Sequence, residues 1–360
     1  MALRHATLAL APVVVIAVFL TASAHGQGAG PDAVFAVQGR VTLLAADGNR
    51  AAVTTEVKRA CARRIVVWTA PGRVSTRVKP GILGCSGDGV SRLAVGGGRV
   101  AWIEQGGGND LEMMVMAAKL AGGPRKQLEF VTNGDRAGGD PSGDWVGWLL
   151  GGDSLLTYNR WTQVCDRPEQ QECGEKDPQL RIANEKLVRI AAGRRVVVVR
   201  GSAAYRLAAV GGGRIVVQGA NALTIRAASG AQVATVPDTG EAARAVALST
   251  TRLAVESAAA LDLYDPATGA AVKSLPLGSA KALGLTDVTT RLALLRGPYR
   301  LVLIRLSDGK RIRFPLRAGA AATLVGARLT EAGLFYAYNA SGASPGRIVF
   351  EPMGKLRARF

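Results

Sequence analysis

The segment NGDRAGGDPSGD sets Asp135, Asp140 and Asp144 among glycines, a run of oxygen donors on a chain free to wrap. Hard cations such as calcium take carboxylate and carbonyl oxygens in that way. The spacing fits neither an EF-hand nor a calcium-binding nonapeptide repeat, and Asp and Gly are also the ordinary residues of tight turns. Calcium is the only cofactor these residues leave open. Further on, TYNRWTQVC brings together Tyr158, Arg160 and Trp161, a phenol, a guanidinium and an indole. Such side chains anchor polar and aromatic ligands, and the three are candidate ligand-binding residues.

Histidine chemistry is closed to the body of the chain. The only two histidines, His5 and His25, lie in or beside an apolar N-terminal stretch. Without imidazole there is no Ser-His-Asp or Cys-His catalysis and no histidine ligand for a metal. Carboxylate, tyrosine and lysine chemistry stay open, but no compact acid-base set stands out, and no catalytic residue is assigned. The four cysteines, Cys61, Cys85, Cys165 and Cys173, include no C-x-x-C pair, which argues against structural zinc. An even number suits two disulfides in an oxidising compartment. Three pairings are possible, and closeness in sequence favours Cys61 with Cys85 and Cys165 with Cys173.

The N-terminus supports that compartment. Arg4 precedes an uncharged run and the small residues TASA, the pattern of a signal peptide over residues 1–24. The apolar run, residues 6–20, is shorter than the ~20 residues a membrane-spanning helix needs. A flexible stretch, residues 25–33, would lead into one domain, residues 34–360. The expectation is a monomeric protein, secreted or held in the cell envelope, with no transmembrane segment after cleavage.

The elements that must position these residues are short strands. RLAVGGGRVAWIE at residues 92–104 returns as RLAAVGGGRIVVQ at residues 206–218, two apolar runs around a glycine turn. The same grammar recurs at Arg50, Asp144, Arg252, Arg291 and Gly333, which makes seven units with Arg99 and Arg214. Behind each comes a second hairpin, clearest in ALDLYDPATGAAVKSLPL at residues 260–277. Runs of four to eight residues rich in Val, Leu, Ile and Thr, bounded by Gly, Asp, Asn and Pro, are strands. Four strands per unit and a period near forty predict an all-β, seven-bladed β-propeller with four antiparallel strands per blade. The last repeat would close with RIVFEPMGKLRARF, although the spare run VFAVQ, residues 34–38, could supply an outer strand instead.

The turn DPATG carries a D-x-x-T-G pattern at Asp265, Thr268 and Gly269. It resembles the repeat of secreted bacterial propellers of the quinoprotein, YVTN and WD40-like superfamily. The resemblance implies a propeller. A quinoprotein repeat would also place a docking tryptophan after this turn, where the chain reads AAVKSL, so no quinone is expected.

The third unit is enlarged by a polar insertion at residues 152–179 that holds Cys165 and Cys173, a candidate binding element. Of the five tryptophans, Trp68, Trp102, Trp145 and Trp148 read as core, and Trp161 as exposed. The net charge of +18 could draw anionic polymers. Many cations, however, fall on the expected last strand of each unit: Arg73, Arg77 and Lys79, Arg125 and Lys126, Lys186 and Arg189, Lys310, Arg311 and Arg313, and Lys355, Arg357 and Arg359. There they blunt an open edge. Aromatic interleaving is missing, and nucleic acid is not an expected partner. The sequence points to a non-catalytic extracytoplasmic propeller that binds a protein or an anionic envelope polymer through the insertion-bearing face or the central channel. The alternative is a histidine-free enzyme, a hydrolase, lyase or degenerate quinoprotein, with an Asp, Tyr or Lys site at the channel mouth.

Overall fold

The structure, a computed structural model, describes residues 33–57, 62–72, 75–78, 89–107, 111–133, 142–167, 173, 177–201, 206–237, 243–316, 322–340 and 345–360. The expected signal peptide, Cys61, Cys85, Asp135 and Asp140 lie outside those residues.

The chain enters on β1 (Ala33–Val37). Blade 1 is β2 (Arg40–Asp47), β3 (Arg50–Val57), β4 (Ala62–Thr69) and β5 (Ser75–Val78). Blade 2 is β6 (Gly89–Gly96), β7 (Arg99–Gly106), β8 (Glu112–Lys119) and β9 (Lys126–Thr132). Blade 3 is β10 (Gly143–Gly152), β11 (Leu155–Cys165), β12 (Leu180–Ala191) and β13 (Arg194–Gly201). Blade 4 is β14 (Arg206–Gly211), β15 (Arg214–Gln218), β16 (Ala222–Ala227) and β17 (Gln232–Pro237). Blade 5 is β18 (Ala245–Leu248), β19 (Leu253–Glu256), β20 (Ala260–Tyr264) and β21 (Ala271–Pro276). Blade 6 is β22 (Gly284–Val288), β23 (Leu292–Arg296), β24 (Leu301–Arg305) and β25 (Arg311–Phe314). Blade 7 is β26 (Thr323–Leu329), β27 (Gly333–Asn339) and β28 (Gly346–Pro352), followed by α1 (Met353–Ala358).

Seven antiparallel sheets of four strands result, and their innermost strands meet in order from β2 round to β26 and back to β2. The chain is a seven-bladed β-propeller. Seven apolar clusters fill the wedges, one per seam: Trp68, Phe335 and Phe350 between blades 7 and 1, for example, and Ile65, Trp102 and Met114 between blades 1 and 2. Middle strands are covered on both faces and read as continuous apolar runs, as in VAWI of β7. Outer strands alternate because only one face is covered, as in β17.

The ring closes on β1, which pairs antiparallel with β28 from Ala33↔Phe350 to Val37↔Gly346. The alternative ending, GKLRARF as a strand, is corrected: after Pro352 the chain turns into α1, which buries Met353 and Leu356. Lys355, Arg357 and Arg359 therefore do not sit on an outer strand. Lys186 and Arg189 are likewise on β12, the third strand of its sheet; the outer strand β13 carries Arg194, Arg195 and Arg200. Within the span 152–179, residues 155–165 are the second strand of blade 3.

The inner hairpins use two turn chemistries. In blades 2 and 4 the pairs Gly97-Gly98 and Gly212-Gly213 have φ of 56° and 71°, the mirror-image turn that fits strand twist. In blades 5, 6 and 7 a hydroxyl takes over: Ser249, Thr289 and Thr330 each accept, at Oγ, a backbone N–H two or three residues on. All these turns sit around the axis on one face, hereafter the turn face.

Candidate binding surfaces

The Tyr158 and Arg160 side chains lie in the seam between blades 2 and 3. Glu129 of β9 is buried there and accepts hydrogen bonds from Tyr158 Oη (3.1 Å), Arg160 Nη1 (3.2 Å) and Arg195. Arg160 also donates to Asp144 Oδ2 (2.6 Å), while Thr162 Oγ1 donates to Asp144 Oδ1 (2.7 Å). Burial alone would raise the Asp144 pKa, but the Thr162 and Arg160 hydrogen bonds and the Arg160 and Lys186 charges outweigh it and hold the carboxyl below its usual range. The Tyr158 phenol is pushed up, first by burial and then by the Glu129 charge. Tyr158 is thus fully buried and joined to a carboxylate, a seam residue rather than one offered to a ligand. Asp144 is occupied by a guanidinium, and its two proposed companions lie outside the described residues. Among the described residues no group of three or more metal-ligating side chains comes together.

Trp161 faces the other way. Its partner across the ladder is Trp145, stacked at 6.4 Å between ring centroids, and Trp148 tilts against it at 5.4 Å. The register skips between Gly147 and Leu150, and within this bulge Trp148 takes φ of 41° and turns outward, 37% exposed. The expectation that Trp148 is core is corrected on this point, whereas Trp68 and Trp102 are buried as expected. Gly147 makes room for the packing: a Cβ there would stand 3.0 Å from Trp161 Cη2. The Trp161 indole nitrogen is buried without a partner among the described residues.

Beyond the tryptophans, β11 and β12 run on to the pair Cys165↔Leu180, with β10 beside β11 as far as Gly143↔Gln163, whereas β13 begins its pairing only at Glu185. Ile182 pairs with Gln163, which shares a face with Trp161 by strand alternation, and is 37% exposed. The tip is fastened by the expected Cys165–Cys173 disulfide, with Cα atoms 5.7 Å apart. Arg181 Nε on Asp166 Oδ2 (2.6 Å), Arg167 on Asp177, and Asp166 N on the Gln179 carbonyl (3.1 Å) complete it.

The channel mouth on the turn face carries carboxylates that the sequence reading did not single out. Asp47, Asp153, Asp287 and Glu331 surround a cavity of about 50 Å³. Each ties one blade to another: Asp153 N donates to Asp47 Oδ1 (2.9 Å), Gly212 N to Asp153 Oδ2 (2.6 Å), Leu329 N to Asp287 Oδ2 (3.0 Å) and Thr290 N to Glu331 Oε1 (2.6 Å). Arg328 adds an ion pair to Asp287 at 2.8 Å, and Thr330 Oγ1 reaches the Gly48 carbonyl at 2.7 Å to latch blade 7 to blade 1. Burial raises the pKa of Asp47 and of Asp287. The arrangement works as a ring of latches.

No protein-family model matches the chain, and no curated protein matches it in sequence. Solved structures do match in fold. The chain is similar to one in the crystal structure of the mitotic checkpoint complex, with a TM-score of 0.50 and 14% identity over 93% of this chain and 98% of that one. It is also similar to Hsv2 of Kluyvelomyces marxianus (TM-score 0.48, 9% identity, 84% of this chain and 91% of that). A third match is BamB of Moraxella catarrhalis (TM-score 0.40, 10% identity, 86% and 85%). Identities this low speak for the propeller fold alone.

Proposed function

We propose that the chain is a non-catalytic binding scaffold whose protein partner docks on blade 3, and that it acts outside the cytoplasm. One observation carries the docking site. Among the described residues, all five non-glycine residues with left-handed backbone, Trp148, Asp153, Ser154, Asn184 and Ala192, belong to this blade. Such conformations cost roughly 1–3 kcal/mol each and persist where the surrounding structure over-determines them, commonly at functional sites. The same blade holds Trp148, Ile182, Val196 and Val197, four of the nine exposed large apolar side chains among the described residues. Exposed aromatic and aliphatic groups at the base of a fastened hairpin offer anchors that need little ordering on binding. An oxidising location accords with the Cys165–Cys173 bond and with the signal-like N-terminus. Anionic polymer is the weaker reading, because the outer-edge cations are spread over several blades and single out none.

A photo-crosslinking amino acid at Ile182, in the protein's own cells, tests the site against the same probe at Tyr299, which is 78% exposed on blade 6. A discrete adduct from position 182, absent from 299 and lost in Trp148→Ala with an unchanged melting temperature, is expected. Equal labelling from both positions would overturn it.

A further inference from the structure

Away from blade 3, the turn face holds a cavity of about 550 Å³ between blades 5 and 6, within the ~300–1,000 Å³ range of small-molecule sites. Its floor is apolar, made by Leu263, Leu292 and Leu306 with Val272 and Phe360 at the sides. Around it stand Arg252, Lys273, Arg291, Arg305 and Arg357, and no Asp or Glu side chain among the described residues lines it. Three of these cations have partners. Lys273 Nζ donates to the Ser307 carbonyl (2.7 Å), Arg252 Nη1 to the Thr251 carbonyl (2.7 Å), and Arg305 pairs with Asp308 while its Cζ lies 5.4 Å from the Phe360 ring centroid. The Arg291 and Arg357 residues are exposed, and their guanidiniums make no hydrogen bond or ion pair among the described residues. They come from different elements, the blade 6 inner turn and α1, and both line this cavity.

We infer that this cavity binds an amphiphilic anion, an apolar chain that bears a phosphate or carboxylate head. An apolar floor takes the chain out of water. Two unpaired guanidiniums supply the planar donor forks that match an oxyanion. A bare inorganic anion would leave the leucine floor unused, and a neutral amphiphile would leave both arginines unpaired. The chemistry fits either a free alkyl phosphate or fatty acid, or the head and upper chain of an anionic lipid.

Calorimetric titration of the full chain with dodecyl phosphate, below its micelle concentration, tests the inference. One-to-one binding is expected, with ethyl phosphate and dodecyl maltoside much weaker. Arg291→Gln with Arg357→Gln should weaken it roughly a hundredfold, since each charge-assisted contact is worth about tenfold or more. Arg194→Gln with Arg200→Gln, which removes the same charge from the exposed outer edge of blade 3, should change it less than twofold. Sedimentation with phosphatidylglycerol vesicles identifies the source: vesicle binding lost in the first double variant assigns a lipid head, and titration without vesicle binding assigns a free amphiphile. Unchanged affinity in the first double variant, equal loss in the second, or equally tight binding of the maltoside would each overturn the inference.

Discussion

The triple glycines of blades 2 and 4 offer a graded test of the packing at the axis, because each of the three is glycine for a different reason. A Cβ on Gly96 would stand 2.1 Å from the Leu155 carbonyl oxygen of blade 3, and one on Gly211 would stand 2.2 Å from the Leu248 carbonyl oxygen of blade 5. Ordinary carbon-oxygen approach is about 3.3 Å. Two blades would have to part by more than an ångström, so Gly96→Ala and Gly211→Ala should cost about 3 kcal/mol or more. Gly98 and Gly213 have open space around them but φ of 71°, so alanine there should cost only the left-handed penalty of about 1–2 kcal/mol. Gly97 combines φ of 56° with a Cβ position 2.7 Å from the Ser154 carbonyl oxygen, and should suffer both. Ser154 itself holds φ of 73° without being glycine, and Ser154→Gly should stabilise the protein by about 1 kcal/mol. Urea midpoints of the single variants measure the order. Gly98→Ala as damaging as Gly96→Ala, or Gly96→Ala within 1 kcal/mol of the parent, would refute close blade contact as the reason for the motif.

Tyr158→Phe removes the 3.1 Å bond to buried Glu129 but leaves that carboxylate its two guanidiniums, so a loss of about 1.5 kcal/mol is expected from the urea midpoint. Asp47→Asn tests the latch ring through pH. Burial, with the Asp153 charge adding to it, raises the Asp47 pKa above the ~3.9 of an unfolded aspartate despite the Asp153 amide bond, so the folded state holds the proton more tightly. The parent should therefore lose stability as pH rises from that unfolded value through the folded one. Asparagine keeps the acceptor without the charge; relative to the parent, the variant should melt higher at pH 7 than at pH 4, and the opposite trend would sink the reasoning.

The propeller was legible because a blade must repeat its hairpins, and hairpins advertise themselves by turn residues. DPATG behaves as read: Asp265 Oδ1 accepts Ala267 N at 2.8 Å, Thr268 Oγ1 accepts Ala270 N at 3.2 Å, and Gly269 takes φ of 75°. The Cys165–Cys173 bond was legible from closeness. What failed was parity. In KQLEFVT of β9 the alternation buries Glu129 and leaves Phe130 45% exposed, the reverse of what hydrophobicity suggests. Bulges account for such reversals, since one extra residue sends the side chains beyond it to the other face. The register shifts once between β8 and β9, where no residue type marks it, and again around Trp148, where Gly147 is the one sign in the sequence.

Blade 3 departs from the repeat most, and its departures bear on one another. Its inner turn, Asp153-Ser154, adopts the left-handed pair that Gly97-Gly98 adopt in blade 2, with φ of 43° and 73°, but without glycine. The strain brings something a glycine could not. Asp153 accepts the Gly212 amide and offers its own amide to Asp47, joining blades 1, 3 and 4 across the axis. That latch matters here because the wedge between blades 3 and 4 holds the smallest of the seven apolar clusters, six buried residues from Leu155 to Val217. Where apolar filling is thin, polar ties at the axis hold the ring. The strained bulge at Trp148 brings no tie between blades of that kind, only a tilted contact with Trp161 in the same blade: its ring is partly exposed and its backbone costs stability. A bulky residue kept in that state inside the most thinly packed part of the ring is the feature the fold itself does not explain, and it is what a docking partner on this blade would account for.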